Sequence, residues 1–154
     1  MANIVFNIAL GRGNELARRV INDDPAPSGF VLMLLQTAEA DATLRTHATV
    51  AAMLAGANTE ANFTNYGRIN ITTGVTVNVD NSGNVHSFDV PNQTFTNAGG
   101  TTDNTLAKWV LCYAPDVAGA DSTLVPVCAQ DFTPTTSGVD LECIINASGV
   151  VQAS

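Results

Sequence analysis

Charge is scarce in this chain. Only 13% of its 154 residues are Asp, Glu, Lys or Arg, about half the usual quarter, and Asn, Thr, Ser and Gly stand where ions would be. A polar, weakly charged surface avoids the desolvation cost of burying ions and suits lasting contact with other subunits. Basic residues are scarcest: six Lys and Arg against fourteen Asp and Glu leave a net charge of −8. That balance argues against nucleic acid as a partner, because phosphate binding is driven by basic side chains that release counterions. It disfavours an anionic membrane surface for the same reason. Long apolar runs are also missing. The longest, Phe30 to Leu35, falls far short of the roughly 20 residues of a spanning helix. The opening MANIVFNIALGRG has neither a basic n-region nor an unbroken apolar h-region, so no secretory signal is read there.

Groups that carry chemistry are few. With only His47 and His86, and no Gly-x-Ser-x-Gly elbow, no nucleophile has an evident base. His47 is expected in a helix and His86 after a hairpin turn, both as exposed polar side chains. Cys112, Cys128 and Cys143 are an odd number, far apart, each inside an apolar β-type run, and read as reduced core residues. A zinc cluster or a disulfide would need those runs side by side, and no Cys-x-x-Cys pair is present. Asp23 and Asp24 flank a proline turn, where aspartate is favoured by local backbone hydrogen bonding. Leu10-Gly11-Arg12-Gly13-Asn14 lacks the Gly-Lys-Ser/Thr of a P-loop and the third glycine of a Rossmann turn, so its glycines mark a helix entrance. Asp80 to Asn84 mimics the first half of a calcium loop, but position six is Val85 and position twelve is not Glu. The acceptor sequons at Asn62, Asn70, Asn92 and Asn146 are what an Asn- and Thr-rich chain produces by chance. No catalytic, cofactor-binding or metal-ligating residue is assigned, and no cofactor is implied.

What is present is a set of strands. Leu106 to Tyr113 is dense in aromatic, β-branched and large apolar residues, interrupted only by Ala107 and Lys108, which predicts a strand covered on both faces. Trp109 and Tyr113 fall on one face of it, as core or, less naturally, as a ligand platform. Gln93 to Thr96 precedes it as a strand, residues 97–104 supply a chain reversal, and Pro115 stops the ladder. Earlier in the chain, Asn3 to Leu10 could start as a strand. The Leu16, Ala17, Val20, Ile21 stripe predicts a helix over Asn14 to Ile21, with Glu15 early and Arg18 and Arg19 late as the helix dipole prefers. Phe30 to Thr37 reads as a buried strand. A second helix is expected within Thr43 to Ala55, capped by Asp41 or Thr46. Asn62 to Thr72 leads into a strand, and Val75, Val77 and Val79 alternate with polar residues before the Asn81-Ser82-Gly83-Asn84 turn into Val85 to Val90, a hairpin. Strands over Thr123 to Ala129, Asp140 to Asn146 and Val150 to Gln152 complete the chain. The fold expected is α+β over one domain, 1–154, with two short N-terminal helices packed on a mainly antiparallel β-sheet or sandwich, arranged as a meander.

Certain strings point to a family. NIVFNIALGR at the start, EADATL at Glu39 to Leu44, NFTNYGR at Asn62 to Arg68, VPNQTFTNAGG at Val90 to Gly100, NTLAKWVLCYAPD at Asn104 to Asp116 and GADSTLVPV at Gly119 to Val127 make the chain resemble small acidic structural proteins of tailed, siphovirus-like bacteriophages. Trp109 and Cys128 depart from that pattern, where plainer aliphatic or polar residues are usual. The resemblance carries no functional residues. It implies a non-enzymatic virion component made in the bacterial host cytoplasm, most naturally a head decoration (cement) protein. Its partners would be the major capsid protein and copies of itself, with a trimer as the expected homo-oligomer, and with no nucleic acid and no membrane. The alternatives are a minor tail or fibre-associated protein, with tail proteins as partners, and a host-receptor or glycan-binding module.

Overall fold

The computed structural model describes residues 3–145 and the backbone of residues 151–153. Strand outweighs helix, and every strand pairing is antiparallel among the described residues. Chain order is β1 (Asn3–Val5), a 3-10 turn (Asn7–Ala9), α1 (Gly13–Asn22), β2 (Gly29–Thr37), α2 (Asp41–Leu44), α3 (Val50–Ala55), β3 (Thr59–Glu60), β4 (Ile69–Ile71), β5 (Thr76–Asp80), β6 (Val85–Asp89), β7 (Gln93–Ala98), β8 (Lys108–Ala114), β9 (Val125–Asp131), β10 (Val139–Cys143) and β11 (Val151–Ala153). The main sheet runs β1-β9-β8-β2-β3, with β4 pairing β2 beside β3. The β7–β10 and β11-β6-β5 ribbons are separate sheets.

The expected central strand is β8, seated between β2 and β9 and buried along its whole length. Pairing with β2 runs from Gly29↔Ala114 to Leu35↔Lys108. Because successive side chains point to opposite faces, the two strands feed two cores. Phe30, Leu32, Leu34, Trp109, Leu111 and Tyr113 join α1 and the two ribbons in one cluster. Val31, Met33, Leu35, Val110, Cys112 and Ala114 join Phe6, Leu44, Val50, Met53 and Leu124 in the other. Two-sided cover is why both strands read as unbroken apolar runs rather than alternating ones. In the first core Phe30 stacks on Phe88 at 5.3 Å between ring centroids, and Phe63, Tyr66 and Phe95 form an aromatic triad. A bulge between Leu111 and Cys112 in the β8–β9 pairing puts both Val127 and Cys128 on that same side.

Several expectations need correcting. The second helix is not one element. α2 ends at Leu44, and after an interval α3 starts at Val50, capped by neither Asp41 nor Thr46 but by Thr49, whose hydroxyl accepts the Ala52 N–H at 3.1 Å. The break has a tertiary cause: the Val50 and Ala51 N–H groups donate to Leu124 O and Asp121 O, both at 3.0 Å, so α3 starts against the loop after β8. Nor is the sheet a meander. β5–β6 is the expected hairpin, but β7 pairs with β10, more than forty residues away, and the 97–104 reversal carries the chain from one sheet into another. It does so with Asn97, Gly99 and Gly100 all at positive φ. A Cβ on Gly99 would collide with the Asp103 carboxylate and with the Thr136 side chain, so that turn needs glycine both for conformation and for space.

Trp109 is 2% exposed and packs in the first core, which removes it as a ligand platform. Trp109→Ala should lower stability by about 3 to 5 kcal/mol, the usual cost of emptying a buried aromatic site. The denaturant midpoint checks this; an unchanged midpoint refutes the core role.

Candidate functional site

Polar groups on this fold gather in four clusters, each tying segments distant in sequence. The first fills a gap in an edge. β4 pairs with β2 through Leu32 and β3 starts at Leu35, which leaves the Leu34 backbone between them. Its N–H donates to the Tyr66 hydroxyl at 3.1 Å, and its carbonyl accepts from Ala61 N at 2.9 Å. Tyr66 in turn donates to Glu60 Oε1 at 2.7 Å. Arg68 grips the Glu60 carboxylate with Nε and Nη2, both at 2.7 Å, and reaches Asp121 with Nη1 at 2.5 Å. Burial pushes the Tyr66 hydroxyl well above its ordinary range. The Glu60 hydrogen bonds, working against desolvation and helped by Asp121, raise the Arg68 guanidinium still further. This clamp fastens the split edge to the loop that also anchors α3.

A second cluster centres on Glu39. His47 Nε2 lies 2.7 Å from Oε2, Asn58 Nδ2 donates to the same oxygen at 2.8 Å, and Ala57 N donates to Oε1 at 3.1 Å. His47, its neighbours Ala57 and Asn58, and the close approach of Gly56, where a Cβ would stand 2.6 Å from Oε1, hold the carboxylate in place. The His47 hydrogen bond first, then those of Ala57 and Asn58, bring its pKa down to about 2. Third, Asn62, Asp103, Asn104 and Thr136 interlock: Asn104 Oδ1 accepts Asn62 N, its Nδ2 donates to Asn62 Oδ1, and Thr136 Oγ1 accepts Asn104 N. Last, Lys108, only 6% exposed, places its ammonium on Asp131 Oδ1 and 2.8 Å from Asp41 Oδ1.

The groups considered from sequence land as follows. His47 sits between α2 and α3 rather than in a helix, and it is half-buried and paired rather than exposed. Among the described residues its hydrogen-bond partner is Glu39, so the pair has no hydroxyl or thiol to activate. His86 is exposed on β6. Asp23 takes a left-handed conformation at the end of α1 and accepts the Ser28 N–H at 2.9 Å, while Asp24 is exposed. Gly11, at φ 73°, turns the chain just before α1. Asp80 accepts the Ser82 and Gly83 N–H groups across the hairpin turn. All three cysteines are free and buried, and desolvation pushes each thiol far above its ordinary range, Cys143 to about 12, which leaves them unreactive. Asn146 lies outside the described residues. Among the described residues no group of His, Cys, Asp and Glu is arranged to hold a metal ion, and no helix is long and apolar enough to cross a membrane.

Sequence reasoning passed over Glu39, Glu60, Arg68, Asp121 and Lys108. One signal was available: Lys108 interrupts an apolar strand, and a lysine there needs a counter-charge. The partners of Arg68 lie 8 and 53 residues away and leave no local trace.

No family model matches the chain, and neither a curated protein nor a solved structure matches it.

Two outcomes follow from the clusters. Arg68→Ala leaves Glu60 and Asp121 facing each other without a cation and should cost about 2 kcal/mol, between the limits for surface and buried pairs; equilibrium denaturation measures it. Glu39, held below its ordinary value, stabilises the fold above its unfolded pKa of 4.5 and loses that contribution as the pH falls toward about 2. Glu39→Gln should therefore be less stable at neutral pH and show a shallower loss of stability between those two values, and identical slopes in the two proteins would contradict it.

Proposed function

We propose that this chain is a non-enzymatic structural component of a tailed-bacteriophage virion, acting as a head decoration protein that binds the major capsid protein lattice as a small homo-oligomer. One observation carries the reading: the strings behind the family resemblance coincide with the residues that knit the fold. NFTNYGR contributes Asn62, Tyr66 and Arg68 to the first and third clusters, and EADATL contributes Glu39 and Asp41 to the second and fourth. NTLAKWVLCYAPD is Asn104 with all of β8, and GADSTLVPV contains Asp121 and Leu124, which hold Arg68 and α3. Strings that build a scaffold suit a particle component, whereas an enzyme would be expected to carry a reacting constellation. Among the described residues, Glu39, Glu60, Arg68, Lys108 and His47 all have partners within the fold.

The low surface charge supports lasting subunit contact, and a threefold oligomer would match the local threefold positions of a capsid lattice. A compact domain without coiled coil or collagen-like repeat suits capsomer junctions better than a fibre.

Particles from a culture that produces this chain, separated on a density gradient and labelled with an antibody to it, test the assignment. The chain should travel with the heads and label them. Label at the tail selects the tail reading, and a chain that stays at the top of the gradient while binding an array of host glycans overturns a structural role in favour of a receptor-binding module.

A further inference from the structure

The six basic residues are five arginines and one lysine, and that single lysine is among the buried residues of the fold. Lysine ordinarily extends its stem along the surface and keeps its ammonium in water. Lys108 instead begins the central strand, directly opposite Asp131 in the β8–β9 register, with Nζ on Asp131 Oδ1 and 2.8 Å from Asp41 Oδ1 at the start of α2. One ammonium faces two carboxylates. A plain ion pair needs one partner; an amine, a carboxyl group to acylate it and a second carboxylate to move protons is the donor set of amide formation.

We propose that Lys108 and Asp131 become joined by an intramolecular isopeptide bond, formed by the chain itself with Asp41 as the proton carrier. The backbone holds the reactants. Ala107 N donates to Leu35 O at 2.8 Å, and Phe132 N to Ala107 O at 2.9 Å, so the ladder is continuous on either side of the pair. Such fixed juxtaposition supplies effective concentrations of about 10⁵ M or more, enough to favour an amide that dilute amine and acid in water would not form. Burial by itself lowers the Lys108 pKa, but Asp131 and Asp41 outweigh it, so the resting state is an ion pair and the reaction starts by proton transfer within it.

The step balances without an oxidant or a co-reactant. A proton passes from the Lys108 ammonium to the Asp131 carboxylate, leaving a neutral amine and a neutral acid. The Nζ lone pair attacks Asp131 Cγ and the C–N bond forms. Asp41 takes a second proton from the nitrogen and delivers it to the departing hydroxyl, the C–O bond breaks, and water leaves past the two carboxylates, each of which is 38% exposed. The products are one amide and one water, and Asp41 is regenerated. The link would tie β8 to β9 beside α2. It stands independently of the virion assignment.

Because Lys108 is the sole lysine, the test is unambiguous. The full chain is purified, unfolded in denaturant and weighed by mass spectrometry. The bond makes it lighter than its sequence by one water. Trypsin then cannot cut after Lys108 and releases residues 69–154 as one peptide, and an amine-reactive label marks the N-terminus alone. Lys108→Arg and Asp131→Ala should both return the full mass. So should Asp41→Ala, which keeps the Lys108–Asp131 contact and removes only the proton carrier. Native protein at full mass, cleaved after Lys108 and labelled at two amines, overturns the proposal in favour of a simple buried ion pair. A missing water that persists in Lys108→Arg overturns it as well, since the loss then lies elsewhere in the chain. Loss of water undiminished in Asp41→Ala overturns the role given to Asp41.

Discussion

The pairing of β2 with β8 is the constraint on which the rest of this structure depends. Both strands are buried on both faces, and the alternation of their side chains assigns Phe30, Leu32, Leu34, Trp109, Leu111 and Tyr113 to one core and Val31, Met33, Leu35, Val110, Cys112 and Ala114 to the other. A slip of one residue would exchange those sets and put the large aromatic rings where smaller side chains now pack. Each core then needs a cover. α1 and the two ribbons provide one, and the 3-10 turn, α2, α3 and the loop after β8 provide the other.

Covering both faces leaves the sheet's edge to be managed. The partners of β2 on its outer side are two strands of two and three residues, and an unpaired backbone group between them would cost about as much as a lost hydrogen bond. Tyr66 fills that place with a side-chain hydroxyl, and Glu60 and Arg68 hold Tyr66 there. The pattern recurs at Glu39 and at Asn104, where carboxylate or amide side chains take up backbone N–H groups that no strand reaches. The Glu60–Arg68 clamp carries partly desolvated charge, so it requires its partners complete; together the clusters hold loops that have little apolar surface of their own.

Such an economy bears on function. A chain with few ions has placed most of the pairs it has where they join segments: Glu60 and Asp121 through Arg68, Asp41 and Asp131 through Lys108, Glu39 with His47. What faces outward is mostly uncharged and polar. That division suits a protein whose task is to hold a shape against neighbours; Arg68 and Lys108 each face two carboxylates, and Lys108 is the more deeply buried of the two cations.

Elements with a strong local signature were legible in the sequence. The apolar runs of β2 and β8, the period-two valines of β5 with their Asn-Ser-Gly-Asn turn, and the stripe of α1 at Leu16, Ala17 and Val20 follow from run length and spacing, which depend only on near neighbours; Ile21, the last residue of that expected stripe, is exposed instead. The buried, unreactive state of the cysteines was legible for the same reason. Tertiary structure alone decided the division of residues 43–55 into two helices, because the N–H groups of Val50 and Ala51 find their acceptors at Leu124 and Asp121. It also decided the pairing of β7 with β10, and the partners of Arg68, Glu39 and Lys108. Each of these contacts joins different segments, eight residues apart for Glu39–His47 and Glu60–Arg68 and 53 for Arg68–Asp121, and spacing along a sequence carries no information about a partner that only folding brings near.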